Sequence, residues 1–372
     1  MPTRTPVYFM SHGGPNTMFD TEHPVYPVLQ SIGQEITQKV KPKAIVVFSA
    51  HWEAGPQSIQ VNTALMNDLI YEFVLNLLFS LIRYPNIGDP ELASRVIGLL
   101  EDAGIKAEGV KRGLDHGVYV GFSVAFHPEK NPLNIPIVQV SQYDSPDVDQ
   151  HYRLGQAVQA LREENILVIG AGMSVHNLRD LRFMFNATQP LPYVKSFDEA
   201  LKPAMEAPPG ERQARLAEVA KRPDARQAHP HFDHLMPAYI TAGAAGEDTG
   251  KQLWTHHEAS MGLSSKPAAY ILYPLNLLGG PTHQPCRLIK IVQRRLQNAA
   301  SVGGIDGLAP SALDHERNGQ QLEGTAQLRL APGRDGGQVD AVTLDQRMDD
   351  IRHQPAAVPQ CVPLRDIPRD EA

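Results

Sequence analysis

Histidines punctuate this chain at the places where a fold can bring distant side chains together. The apolar run Val7-Tyr8-Phe9-Met10 breaks at Ser11-His12-Gly13-Gly14-Pro15, and Lys43-Ala44-Ile45-Val46-Val47-Phe48-Ser49-Ala50 runs into His51-Trp52-Glu53. A third run, Ile166-Leu167-Val168-Ile169-Gly170, leads through Ala171-Gly172-Met173-Ser174-Val175 to His176. Each has the length and β-branched content of a strand buried on both faces, and each ends on an imidazole. His234, with Asp233 beside it, precedes the apolar Leu235-Met236-Pro237-Ala238-Tyr239-Ile240 and can come over the other three from a helix start. Neutral imidazole binds Zn, Fe, Cu and Ni, and a reactive centre needs three or four converging ligands with a position open to substrate. Imidazole also exchanges protons near neutral pH. His116, in Gly113-Leu114-Asp115-His116-Gly117, is a further loop histidine beside an acid.

A lone histidine at a strand end is more often a hydrogen-bonded turn residue than a ligand, but three at equivalent exits point to a common centre. For His116 the plain alternative is a loop histidine paired with Asp115, and His229 and His231 read as surface imidazoles near a proline turn. His23, His127, His151, His256, His257, His283, His315 and His353 fall on helix faces, in polar loops or in the C-terminal segment. Asp20 and Glu22 read as solvated, and Glu53 as a possible support behind a ligand. Gly13-Gly14 lacks the lysine and the glycine spacing of a phosphate-binding loop, which sets nucleotide binding aside.

The elements that must position these residues alternate between strand and helix. Val25, Val28, Leu29, Ile32 and Ile36 follow Pro24 at helical spacing, so the first two strands form a right-handed βαβ unit. They are then parallel, and His12 and His51 share the sheet edge where α/β folds collect their ligands. Asp89-Pro90-Glu91 opens a second helix that Gly104 closes. A strand is expected over 135–141, a helix from Ser145-Pro146 to near Asn165, and helical structure over 191–220 with Ser196 and Asp198 as caps. Late strands are expected over 252–256 and 268–273. The expected fold is a single three-layer α/β domain over residues 1–274, a mostly parallel central sheet flanked by helices. Residues 275–372 are rich in Gly, Pro, Gln, Arg and Asp without a sustained apolar period, and are expected to be a low-complexity disordered tail.

With 372 residues the chain can bury a large core. A formal net charge of -7 and a pI near 6.1 offer no attraction to phosphate backbones or anionic lipid, so neither nucleic acid nor membrane is expected as a partner. Cys286 and Cys361 are the only cysteines, which leaves no disulfide framework and fits a reducing, cytoplasmic compartment. Residues 1–10 lack the pattern of a signal peptide, and the most apolar stretch, 73–81, is too short to span a bilayer.

The motifs Ser11-His12-Gly13-Gly14-Pro15, Ser49-Ala50-His51-Trp52, Gly113-Leu114-Asp115-His116-Gly117, Ile135-Pro136-Ile137-Val138-Gln139-Val140-Ser141, Val175-His176-Asn177-Leu178-Arg179 and Asp233-His234-Leu235-Met236-Pro237 together resemble the DODA-type class III extradiol ring-cleavage dioxygenases. That family includes the 4,5-DOPA dioxygenases and shares its fold with the LigB catalytic subunit of protocatechuate 4,5-dioxygenase. The resemblance runs from about Val7 to Tyr273. It implies one mononuclear divalent metal ion held by His12, His51 and His234, Fe(II) in working dioxygenases and zinc in some. It implies that His176 is a further ligand or the acid/base group, and that His116 hydrogen-bonds substrate or oxygen. Asp233-His234 stands where the family has Glu-His, and His234 is the favoured ligand of the two. The implied partners are a small catechol such as DOPA and O2.

Two features depart from the family. A Gly-Phe-Pro loop usually follows the Tyr71-Glu72-Phe73 region, whereas residues 74–82 are here a hydrophobic run, and family domains finish soon after the strand matching 268–273. Two other functions suit the same residues: a zinc hydrolase using metal-bound water, and a metal-binding protein that keeps the fold without catalysis.

Overall fold

Apolar residues alternate along the central strands so that one set faces each side of the sheet. The structure is a computed structural model and describes residues 4–72, 83–183, 189–257 and 269–273. Its strands are β1 (Val7–Ser11), β2 (Ala44–Glu53), β3 (Ser58–Asn62), β4 (Lys106–Val110), β5 (Ile137–Gln142), β6 (Ile166–Gly172), β7 (Thr249–Trp254) and β8 (Ala269–Tyr273). They form one eight-stranded sheet in the order β4-β3-β5-β2-β6-β1-β8-β7. The centre, β5-β2-β6-β1, is parallel, and β3 and β8 run antiparallel against its two sides. The expected mostly parallel α/β fold is therefore present.

The helices are α1 (Tyr26–Glu35), α2 (Pro90–Asp102), α3 (His116–Ala125), α4 (Val148–Ala157), α5 (Pro192–Met205), α6 (Pro209–Ala220), the single turn α7 (Ala225–Ala228) and α8 (Met236–Ala245). On one face Val7, Phe9, Val46, Phe48 and Val168 pack with residues of α2, α4, α5, α6 and α8. On the other, Tyr8, Met10, Ile45, Val47, Leu167 and Ile169 pack with α1 and α3. The period of two along each strand thus builds two cores, one per face. No helix among the described residues is long and apolar enough to cross a membrane.

Several elements differ from expectation. β2 continues through His51 to Glu53, so this histidine lies within the strand rather than beyond it. Asp89 caps α2 as expected, accepting from the amides of Glu91 and Leu92. The 191–220 segment is two helices, parted before Pro209: Pro208, which precedes a proline, is held in extended backbone, and Pro209 suits the first position of the second helix. Ser196 and Asp198 lie inside α5 and cap nothing. Ser196 instead donates to Asp224, and the buried Asp198 accepts from Thr255. The helix after Ser145-Pro146 begins at Val148 with Asp147 as its cap, and a 3-10 turn, Gln159–Glu164, completes it before left-handed Asn165. β3, β4 and α3 were not legible; nine of the ten residues of α3 are buried, which erases the amphipathic stripe that marks a helix. The hydrophobic run 74–82 and the tail 275–372 lie outside the described residues.

Candidate metal centre

The site forms where β6 ends between β1 and β2. Ser11 pairs with Gly172 and Ser49 with Ala171, the last pairs that β1 and β2 make with β6, and β2 runs on past the end of β6 while the His12 amide donates to the Gly172 carbonyl at 3.3 Å. Parallel direction thus delivers His12 and His51 to one edge, as the βαβ reading expected, with β6 between them. The segment that starts α8 lies directly on the end of β6. A Cβ on Gly172 would sit 2.4 Å from the His234 carbonyl oxygen, and one on Gly170 would sit 2.5 Å from that of Pro237. Only glycine allows this approach, and it brings His234 over the strand ends.

His12, His51 and His234 converge. Their ring centroids are 4.7 Å (His12 to His51), 5.2 Å (His12 to His234) and 4.7 Å (His51 to His234) apart, and Nε2 of His51 lies 2.8 Å from Nε2 of His234. His12 donates from Nδ1 to the Gly13 carbonyl at 2.6 Å, which fixes its tautomer and leaves Nε2 buried without a hydrogen-bond partner. Ligand bonds of roughly 2.0–2.1 Å hold two nitrogens about 3 Å apart when they meet at a right angle. Lone pairs as close as those of His51 and His234 repel unless a proton or a cation lies between them. Ligand atoms of His12, His51 and His116 lie within 4.8 Å of one another, as do those of His176, Asp233 and His234, and the His51–His234 contact joins the two groups; imidazole nitrogens so gathered fit a divalent first-row metal.

Two more imidazoles lean on these ligand candidates. His116 stacks on His51 at 3.8 Å with 25° between planes, and its Nδ1 and backbone amide both meet the Glu72 carboxylate. His176 stacks on His234 at 3.5 Å and 12°. Asp233 accepts from the His234 amide at 2.7 Å and lies 3.0 Å from His234 Nδ1, so His234 has the carboxylate behind it and turns Nε2 to His51. A carboxylate in that position orients a ligating imidazole.

Burial sets the protonation of the cluster. It is the largest cause of the lowered pKa of His12, to about 3, and of His176, to about 4; it also holds His51 and His234 well below the usual histidine range. Neighbouring imidazoles push the same way, because two positive rings cannot share so small a space. The rings are therefore neutral at neutral pH, the state in which imidazole binds metal.

Some sequence assignments require correction. His116 is the first residue of α3, not a loop residue, and it pairs with Glu72 instead of Asp115. Asp115 is fully buried and accepts from Ser49 Oγ at 2.6 Å, Gln139 Nε2 at 2.5 Å and Arg112 Nη1 at 3.0 Å. His229 is not a surface residue. It has no exposed area, donates from Nε2 to the Ser174 carbonyl at 2.9 Å, and burial lowers its pKa to about 3. His231 is exposed, 3.8 Å from Glu53, whose pKa burial raises to about 7. Glu53 thus gathers with His231 and Asp144. Sequence reading also missed Glu72, Ser49, Arg112 and Gln139. Only Ser49 carried a signal, since it falls on the same strand face as His51 by alternation. A cleft of about 950 Å³ lies elsewhere, lined among others by Lys106, Tyr143 and Arg153, and includes none of the site histidines.

A family model for the catalytic LigB subunit of aromatic ring-opening dioxygenase matches residues 4–269. A 4,5-DOPA dioxygenase extradiol from Beta vulgaris is 36% identical over 254 residues, covering 66% of this chain and 89% of that protein. A 4,5-DOPA dioxygenase extradiol-like protein from Schizosaccharomyces pombe is 31% identical over 264 residues, 66% of this chain and 86% of its own length. A crystal structure of an uncharacterized Escherichia coli protein, 26% identical, superposes with a TM-score of 0.56 over 73% of this chain and 100% of its own.

Proposed function

This chain belongs to the LigB family of aromatic ring-opening dioxygenases, and we propose that it opens the ring of a DOPA-like catechol with O2 at one divalent metal ion. The observation that carries the proposal is the convergence of three neutral imidazoles, the buried His12 and His234 and the partly buried His51, at one sheet edge. These three would hold the ion, with His234 preferred to Asp233 because Nε2 of His234 faces His51. When bound, Fe(II) supplies the electronic path between catecholate and O2 that their direct, spin-mismatched reaction lacks. We assign this catalytic domain to residues 1–274.

The chain's own residues then bind, orient and move protons. A catechol must lose phenolic protons as it binds, and a neutral imidazole accepts one. His176 takes that role, because burial keeps it neutral and its stacking on His234 holds it beside the ligands. Glu72 fixes His116 by its Nδ1, so Nε2 is the ring atom through which His116 exchanges a hydrogen bond with the reacting oxygens. The stack of His116 on His51 keeps both oxygen-handling and metal-holding groups in register, which raises their effective concentration.

The test is anaerobic reconstitution of purified protein with Fe(II), followed by DOPA and oxygen. A yellow ring-opened product with equimolar oxygen uptake is expected, and none with Zn2+. Full metal occupancy without turnover of any catechol overturns the proposal in favour of a non-catalytic metal binder. Activity with Zn2+ on an ester or amide overturns it in favour of a hydrolase.

A further inference from the structure

We propose that Asp115 is a positioning residue that locks the His51 segment of β2 to the His116 turn of α3 through one buried carboxylate. The inference rests on the reading of His51 as a metal ligand. Its starting point is a gap in the sheet. β2 pairs with β6 only as far as Ser49, and its register with β5 jumps from Phe48 opposite Val140 to Glu53 opposite Gln142. Ala50, His51 and Trp52 therefore have no ladder partner on either side, and something other than the sheet must hold them.

The Asp115 network supplies the missing bonds. The His51 amide donates to Ser49 Oγ at 3.2 Å, and the Ser49 hydroxyl donates to Asp115 at 2.6 Å, so the irregular segment is tied to the carboxylate through one side chain. Arg112 donates to Asp115 from Nη1 and to the His51 carbonyl from Nη2 at 3.4 Å, while its guanidinium lies 4.5 Å over the Trp52 ring. Gln139 reaches the same carboxylate from β5, the strand whose register is broken. Asp115 also precedes His116, the first residue of α3, so whatever fixes the carboxylate fixes that turn. The turn is pressed onto β2: a Cβ on Gly117 would lie 2.6 Å from Ser49 Oγ and 3.0 Å from His51 Nδ1. A buried carboxylate is costly unless its charge and lone pairs are matched, and here a guanidinium, a hydroxyl and an amide match them. The arrangement is thus specific to a carboxylate.

Co2+ titration of the metal-stripped full chain tests this, read by its visible ligand-field bands and its Kd. In Asp115→Asn the new amide meets groups that are already donors. The expected result is a Kd weakened roughly 10- to 100-fold, with shifted bands and unchanged far-ultraviolet circular dichroism. Ser49→Ala, which removes one hydroxyl and keeps the charge pair, is expected to weaken Kd about fivefold. Asp248→Asn is the structural control, a buried carboxylate bound by Arg162 and Arg4 away from the histidines; it should lower thermal stability and leave Kd and bands unchanged. Wild-type bands and Kd in Asp115→Asn overturn the inference alone. If Asp115→Asn does not fold, unchanged Kd and bands in Ser49→Ala overturn it equally. A wild-type chain that takes up no Co2+ overturns the metal reading, and this inference with it.

Discussion

The two stacked imidazole pairs, His51 with His116 and His176 with His234, are alike in geometry and opposite in what holds them. The first is held by side chains and charge: Asp115 at its centre, with Ser49, Gln139 and Arg112 donating to it. The second is held mainly by main chain, with Asp233, which accepts from the His234 amide, as its one carboxylate. The Met173 amide donates to the His234 carbonyl at 2.8 Å and the His176 amide to the Ala228 carbonyl at 2.9 Å, while His229 adds a bond to the Ser174 carbonyl. The difference follows from topology. The loop leaving β6 runs beside residues 228–234 and finds backbone partners there, whereas β2 leaves its ladder before His51 and finds none. A charged brace makes one half sensitive to a single side chain, and a backbone brace makes the other sensitive to steric intrusion.

The largest expected effect separates the members of each pair. His51→Ala and His234→Ala should lose metal uptake by more than the roughly 100-fold that a supporting residue costs. His116→Ala and His176→Ala should retain metal but lose roughly 10²- to 10⁴-fold in kcat, the range for a proton-transfer group. Metal analysis beside steady-state kinetics distinguishes the two classes, and loss of metal with His176→Ala would move that residue among the ligands. Next comes the contrast between braces. His229→Phe should cost about 1–3 kcal/mol of stability for its lost buried hydrogen bond, yet change metal affinity far less than Asp115→Asn. Equal losses of affinity would erase the distinction drawn between the halves. Gly172→Ala should then reveal the steric weakness of the backbone-held half. Its methyl would meet the His234 carbonyl, costing about 1–3 kcal/mol by overpacking, and equilibrium denaturation measures that cost.

The smallest effect is a slope. His12, His176 and His229 have folded pKa values lowered to about 3 or 4, while in the unfolded chain they titrate near 6.5. Between those limits the unfolded chain binds more protons, so the stability of the metal-free protein is complete above pH 6.5 and declines as pH falls toward 4. Denaturant midpoints from pH 8 to pH 4 should be level at first and then fall. His229→Phe should make the acid limb shallower by at most one proton, roughly 1.4 kcal/mol per pH unit. A parent profile level down to pH 4 would contradict the burial of these rings as neutral groups.

The amino-acid sequence alone determined the strands that carry His12, His51 and His176, because a parallel strand buried on both faces must be written as a continuous apolar run. It also determined the family, since the ordered histidine motifs survive as local strings. α3 and the second half of α8 were not legible, because both are buried on every side and show no polar face. The burial of His229 was hidden as well, for its proline-flanked, polar surroundings look like surface until Phe197 and Phe232 close over the ring. The third dimension alone decided which carboxylate serves which histidine. Asp115 stands next to His116 in the chain and turns instead to Ser49 and Gln139, residues 66 and 24 positions away, while Glu72 crosses 44 positions to reach His116. Periodicity reports only which face of an element is buried; a hydrogen bond between elements depends on where the chain returns, and no local spacing encodes that.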